Sequence, residues 1–126
     1  MSDIGIWIDH ERAVLVSLGQ DSPTIRTLAS AVEGHPRYAG GQEHGGEKRY
    51  EHRFGQQLDR YYDHVISELG TPRSLLILGP GEAKRELQAR LAGVSALATC
   101  QVAVEAADVL TEPQIVAKVT AHFTAH

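Results

Sequence analysis

The apolar positions come in two rhythms. Residues 4–8 (IGIWI) and 13–18 (AVLVSL) are β-prone runs, joined by the polar stretch Asp9-His10-Glu11-Arg12. Two such runs around a short polar turn predict a β-hairpin. A second turn at Gln20-Asp21-Ser22-Pro23 leads into residues 24–28 (TIRTL), a third strand with Ile25 and Leu28 as candidate inward residues. Three short strands in succession predict an antiparallel meander. From about Glu47 the spacing changes. Phe54, Leu58, Tyr61, Tyr62, Val65, Ile66 and Leu69 follow the i, i+4, i+7, i+8 pattern of one buried helix face. Gly70 and Pro72 suit the end of that helix.

The second half alternates strand and helix. Residues 74–78 (SLLIL) form an unbroken apolar run, which predicts a strand covered on both faces in a parallel part of the sheet. Gly79-Pro80-Gly81 turns the chain into an amphipathic helix over 82–91, with Leu87 and Leu91 on its apolar face and Lys84, Arg85 and Arg90 elsewhere. Residues 99–105 (TCQVAVE) predict the last strand. Thr111 is placed as the N-cap of a final helix, with Pro113 in its first turn and Ile115, Val116, Val119 and Phe123 facing inward. The expected fold class is α/β: one domain over 1–126, a mixed five-stranded sheet (β-meander then αβαβα) flanked by helices, with right-handed crossovers.

One stretch fits neither rhythm. Residues 34–54 (GHPRYAGGQEHGGEKRYEHRF) hold five glycines, three histidines and four Lys or Arg residues. A polar, glycine-rich connection of this length is uncommon inside a small domain, and such loops are usually functional or disordered. A flexible loop is expected at about 34–50. At its centre is Gly40-Gly41-Gln42. Adjacent glycines permit close backbone approach to a ligand. A glutamine beside them offers a side-chain amide and a backbone N–H, which can orient a water or stabilise an oxyanion. Arg37, Lys48, Arg49 and Arg53 are candidate contacts to RNA phosphates, although Glu43, Glu47 and Glu51 nearly cancel them along the chain.

The position of this tripeptide carries a resemblance. The chain resembles the central, peptidyl-hydrolysing domain of eukaryotic and archaeal class I peptide-chain release factors. It is most similar to small bacterial homologues labelled translational machinery proteins. The resemblance runs over nearly the whole chain. It rests on WIDHERAVL at 7–15, Gly-Gly-Gln between the third strand and a long helix, Arg53-Phe54, LILGPGEAKREL at 76–87 and VEAADVLTEPQIV at 104–116. It implies a cytoplasmic factor that meets the ribosome or tRNA, with Gly40, Gly41 and Gln42 promoting attack of water on a peptidyl-tRNA ester. It implies no cofactor. In the family the Arg-Phe element follows the Gln within a few residues; here it lies eleven and twelve positions after Gln42. The 126 residues leave no room for the family's codon-reading domain, so stop-codon recognition is not expected.

Bulk composition excludes some alternatives. Hydrophobic residues make up 42% and charged ones 22%, as in ordinary globular proteins. A net charge of -4 offers no global attraction to nucleic acid or membrane, so any RNA contact must be local. No apolar run is long enough for a membrane span, and no signal peptide is apparent. One cysteine, Cys100, excludes an internal disulfide and fits a reducing compartment.

His35, His44, His52 and His64 match no zinc spacing, and no metal site is expected. Gly79-Pro80-Gly81 lacks the Walker pattern and reads as a turn, with Lys84 on the surface. Two alternatives to peptidyl-tRNA hydrolysis stay open: a non-catalytic RNA-binding or stress-related domain, and a ribonuclease H-like nuclease using Asp9, Glu51, Glu105 and Asp108. Against the nuclease, Asp9 falls at the hairpin turn, where its carboxylate suits the turn backbone.

Overall fold

A computed structural model of the chain describes residues 3–19, 22–30 and 47–124, of which 47–56 as backbone only. The elements run β1 (Asp3–Ile8), β2 (Arg12–Leu18), β3 (Thr24–Ala29), α1 (Glu47–Ser67), β4 (Ser74–Gly79), α2 (Ala83–Leu91), a 3-10 turn at Ser95–Leu97, β5 (Gln101–Ala106) and α3 (Glu112–Thr124). The sheet order is β3-β2-β1-β4-β5. β1–β2 and β2–β3 pair antiparallel, whereas β1–β4 and β4–β5 pair parallel. This is the mixed five-stranded α/β sheet that the two rhythms predict.

The period-two alternation of the strands sorts the core into two layers. Ile4, Ile6 and Ile8 of β1 join Leu75 and Ile77 of β4 under α1 and α2, where Leu58, Tyr61, Val65, Leu87 and Leu91 cover them. Trp7, Val14, Val16, Leu76 and Leu78 face the other way, under Ile115 and Val119 of α3. The apolar run of β4 is therefore covered on both faces. Gly5 is where α3 comes closest to the sheet. A Cβ there would stand 2.2 Å from a Val119 methyl, so only glycine admits the helix at this depth. Gly70 takes φ +66°, the left-handed conformation that terminates α1. At the start of α3, Thr111 Oγ1 accepts the Gln114 N–H at 3.3 Å and Gln114 Oε1 accepts the Thr111 N–H at 2.9 Å, a reciprocal cap.

Three expectations are corrected. Ile25 and Leu28 do not both face inward. They are three residues apart, an odd number, so a strand must put them on opposite faces. Leu28, paired with Ala13, packs against the α1 layer; Ile25, paired with Val16 on the α3 side, is 42% exposed at the sheet edge. Lys84 is not on the surface. It falls three and seven residues before Leu87 and Leu91, on the same face of α2, and is only 7% exposed. β5 begins two residues later than expected, because turn hydrogen bonds continue past the 3-10 turn as far as Cys100, whose N–H bonds the Leu97 carbonyl.

Candidate functional site

Gly40, Gly41, Gln42 and Arg37 lie outside the described residues. Lys48, Arg49 and Arg53 lie in the first two turns of α1, described as backbone only. These three residues are mounted on α1. Beside α1, at the carboxyl ends of β1 and β4, polar groups of the hairpin turn, α1 and α2 meet.

The β1–β2 hairpin is closed by Asp9. Its Oδ1 accepts the N–H groups of Glu11 and Arg12, each at 2.8 Å, and its own N–H donates to the Arg12 carbonyl at 3.0 Å. Two backbone donors on one carboxylate oxygen make a saturated turn, the role expected of an Asp there. The Arg12 guanidinium lies 4.8 Å from the centre of the Trp7 ring. On the far side of the sheet the Trp7 indole N–H donates to the Asp108 carbonyl at 2.9 Å, which ties the β5–α3 connection to β1.

Helix α1 is held to this frame by two adjacent phenols. Tyr61 donates to the Asp9 carbonyl at 3.0 Å, and Tyr62 donates to Glu86 Oε1 at 2.5 Å. The same Glu86 oxygen is 3.0 Å from His10 Nε2. Glu86 thus joins α1, α2 and the hairpin turn at one atom. On the outer side, Arg90 grips Asp63 through two hydrogen bonds of 2.8 and 3.0 Å and reaches Asp59 at 3.3 Å. A fork of this kind is the strongest geometry for a guanidinium and a carboxylate, and it raises the Arg90 pKa. Lys84 Nζ donates to the Gly81 carbonyl at 2.5 Å, folding the buried ammonium back onto its own turn.

Burial, first, and then the negative charge of Asp9 push the Tyr61 pKa up, with Arg12 acting in the opposite sense. For Tyr62 burial again dominates, reinforced by the hydrogen bond and charge of Glu86. Both phenols therefore stay protonated as donors through the neutral range and serve as tethers rather than as acids or bases. The folded chain keeps these two protons at a pH where the unfolded chain, with the ordinary value of 10.0, releases them. The stability they contribute is complete below pH 10.0 and falls as pH rises above it. Of the four tyrosines, two are expected to be silent in a 295 nm titration until the protein unfolds. Tyr61→Phe and Tyr62→Phe should each remove one late-titrating phenol.

Sequence reasoning placed Tyr61 and Tyr62 on the buried face but gave their hydroxyls no task, and it passed over His10 and Glu86. The available signal was the choice of tyrosine over leucine or phenylalanine, since a buried hydroxyl needs a partner. Of the nuclease set, Asp9 is committed to its turn and Glu105 pairs with His122 at 3.8 Å. Among the described residues, no three His, Cys, Asp or Glu side chains group closely enough to hold a metal ion. Among them, too, no helix is long and apolar enough to cross a membrane.

No protein-family model matches the chain, and no curated protein matches it in sequence. Solved structures do match. Thermoplasma acidophilum Pelota aligns with a TM-score of 0.56 at 14% identity, over 100% of this chain and 32% of that one. Archaeoglobus fulgidus Pelota gives 0.56 at 13%, over 98% and 34%. The fold is similar to that of one part of the Pelota proteins. An archaeal translation termination factor, aRF1, aligns at 0.49 and 15% identity, over 99% of this chain and 40% of that one. The chain spans about a third of the length of the Pelota structures it matches. At such identities the likeness establishes the fold, and the chemistry must be argued from the residues.

Proposed function

We propose that the protein is a cytoplasmic translation factor that associates with the ribosome or tRNA in rescue or quality control. Residues 1–126 act as one domain, in which the glycine-rich loop expected at about 34–50 gives way to α1 from Glu47. Gly40 and Gly41 let the tip fit, and Gln42 orients water at a peptidyl-tRNA ester, with ribosomal RNA completing the catalytic environment. One observation carries this reading. The chain shares its fold with part of Pelota, and its sequence holds Gly-Gly-Gln between β3 and α1, the connection in which the resembled family carries its catalytic tip. The tethering of α1 through Tyr61, Tyr62 and Arg90 adds support, because a reactive tip needs a rigid mount.

A second reading keeps the binding and drops the hydrolysis. It is favoured by the distance of Arg53-Phe54 from Gln42, which departs from the family's spacing. Both readings require ribosome association. The purified protein should therefore co-sediment with ribosomes at low salt and be released as salt rises. Deleting residues 39–46 should weaken pelleting while leaving the folded body intact by circular dichroism. Absence of co-sedimentation at low salt would remove both translational readings.

A further inference from the structure

The sheet has two edges, β3 and β5, and they are built differently. At β3, Pro23 precedes the strand, Arg26 pairs with Glu68 of α1, and the Thr27 hydroxyl donates to Glu112 of α3 at 3.4 Å. Proline and charged side chains are the usual means of blunting an edge. β5 carries no lysine, arginine or proline, and its pairing with β4 is unbroken from Gln101 to Ala106, so no bulge twists it away. The Gln101 N–H donates to the Arg73 carbonyl at 3.2 Å and the Ala107 N–H to the Gly79 carbonyl at 3.0 Å. Backbone groups alternate between the two sides of a strand, so Ala103 and Glu105 also bond toward β4. Val102 and Val104 therefore aim their N–H and C=O groups at the open side. Val102 is 37% exposed at this edge.

The β5 edge is complementary to itself in one register. When two β5 strands pair antiparallel about a two-fold axis, outward residues must face outward residues for the N–H···O bonds to form. An axis at Ala103 achieves this. Val102 then faces Val104 of the second copy, and each such pair exchanges both of its hydrogen bonds. Gln101 faces Glu105 of the second copy, an amide donor against a carboxylate. Ala103 faces its own counterpart. The layers match as well. Val104 packs against the α1–α2 layer and Ala103 against the α3 layer, so the paired valines extend one layer and the small alanines meet in the other. Moving the axis to Val102 or Val104 loses both Gln–Glu pairs. The helices leave room for this contact, since α2 packs mainly on β4, and α3 on β1 and β2. Two α2 helices over the two β4 strands would stand about 14 Å apart, three strand spacings, against a helix diameter of about 10 Å.

We infer that the β5 edge is a docking surface for a second copy of this chain, joined antiparallel about a two-fold axis at Ala103 into one continuous sheet. The complementarity argues for a copy. A foreign strand would have to supply the same Val-Ala-Val pattern in register and a donor opposite Glu105. The contact is short, so a weak, micromolar dimer is expected. β3, the strand that leads to Gly-Gly-Gln in sequence, lies at the far edge of each copy. The inference does not depend on the translational reading.

Sedimentation equilibrium of the full chain, over a concentration series reaching the millimolar range, should show a reversible monomer–dimer equilibrium. Gln101→Lys puts an ammonium opposite each Glu105 and should tighten the dimer, whereas Gln101→Glu puts like charges there and should loosen it. Each pair occurs twice, so a shift of about two- to thirtyfold in dissociation constant is expected in either direction. Val102→Lys places a charge on the edge and should leave a monomer with the far-UV circular dichroism of the wild type. Ala103→Cys, made in a Cys100→Ser chain, brings two thiols across the axis. Cα atoms there are about 4.5 Å apart, which suits a disulfide, so oxidation should give a covalent dimer. Glu105→Cys in the same background is about 14 Å from its counterpart and should not crosslink. A monomer at every concentration would overturn the inference and leave the edge to an extended segment of another protein. A dimer indifferent to Gln101 and Val102 would overturn it too, as would crosslinking of Glu105→Cys as fast as Ala103→Cys. If Val102→Lys does not fold, the opposite shifts of the two Gln101 variants decide, because a folding defect does not tighten a dimer. Ribosome pelleting is read separately, so loss of the dimer and loss of ribosome association are distinguishable.

Discussion

Gln42→Ala is expected to lower peptide release from peptidyl-tRNA on ribosomes by at least about a hundredfold, with ribosome pelleting and melting temperature unchanged. The expectation follows from what the amide does in the hydrolytic reading. It supplies a positioned donor and acceptor to the attacking water or the developing oxyanion. Removing one such group typically costs about a hundred- to a thousandfold in rate. Binding should survive, because the change deletes no charge and the candidate RNA contacts lie on Lys and Arg residues. Stability should survive, because the two apolar layers of the described core do not draw on residue 42. A single-turnover release assay with pre-formed peptidyl-tRNA complexes measures the first quantity. Pelleting and thermal melting measure the others. Release at the wild-type rate in Gln42→Ala would end the hydrolytic form of the proposal, whereas absence of release by the wild type would leave the binding form standing.

Trp7→Ala is expected to be the most damaging substitution in the described body. Trp7 is fully buried and sits at the centre of the α3 layer, against Val14, Val16, Leu76, Leu78, Ile115 and Val119. Truncating a buried tryptophan costs about 3 to 5 kcal/mol, through lost burial and the cavity left behind. For a domain of this size that corresponds to a fall in Tm of roughly 10 to 20 °C. Trp7→Phe separates two contributions. It keeps most of the apolar volume but leaves the Asp108 carbonyl without its indole donor. About 1 to 3 kcal/mol is expected for that orphaned acceptor. Because Trp7 is the only tryptophan, its fluorescence reports on its own environment. Wild-type emission should be blue-shifted when folded and move red on unfolding. If Trp7→Ala melts within a few degrees of wild type, the α3 layer does not hold the sheet as described.

The Tyr61 and Tyr62 tethers show how an apolar pattern hides chemistry. A periodicity that sorts residues into inside and outside identifies Tyr61 and Tyr62 as core, correctly. It cannot say that one hydroxyl finds a carbonyl of the hairpin 52 positions away and the other a carboxylate on the next helix. Lys84 shows the reverse failure. Its charge argued for the surface, yet its spacing from Leu87 and Leu91 puts it on the buried face, and the Gly81 carbonyl makes that burial tolerable. A charge count along α1 has a geometric limit. Neighbours along a chain are about 100° apart on a helix, so their charges do not cancel at one surface.

Element type and order followed from local rules that act within a few residues. Alternation produced the meander, helical spacing produced α1, and the unbroken run at 74–78 announced a strand covered on both sides. These features were legible because each element must bury its own apolar face. The pairing of β1 with β4, the assignment of α3 to the face opposite α1 and α2, and the meeting of Asp9, Tyr61, Tyr62 and Glu86 were decided in three dimensions. Each depends on contacts between residues far apart in the chain, and no local pattern encodes which distant partner will fill a given space.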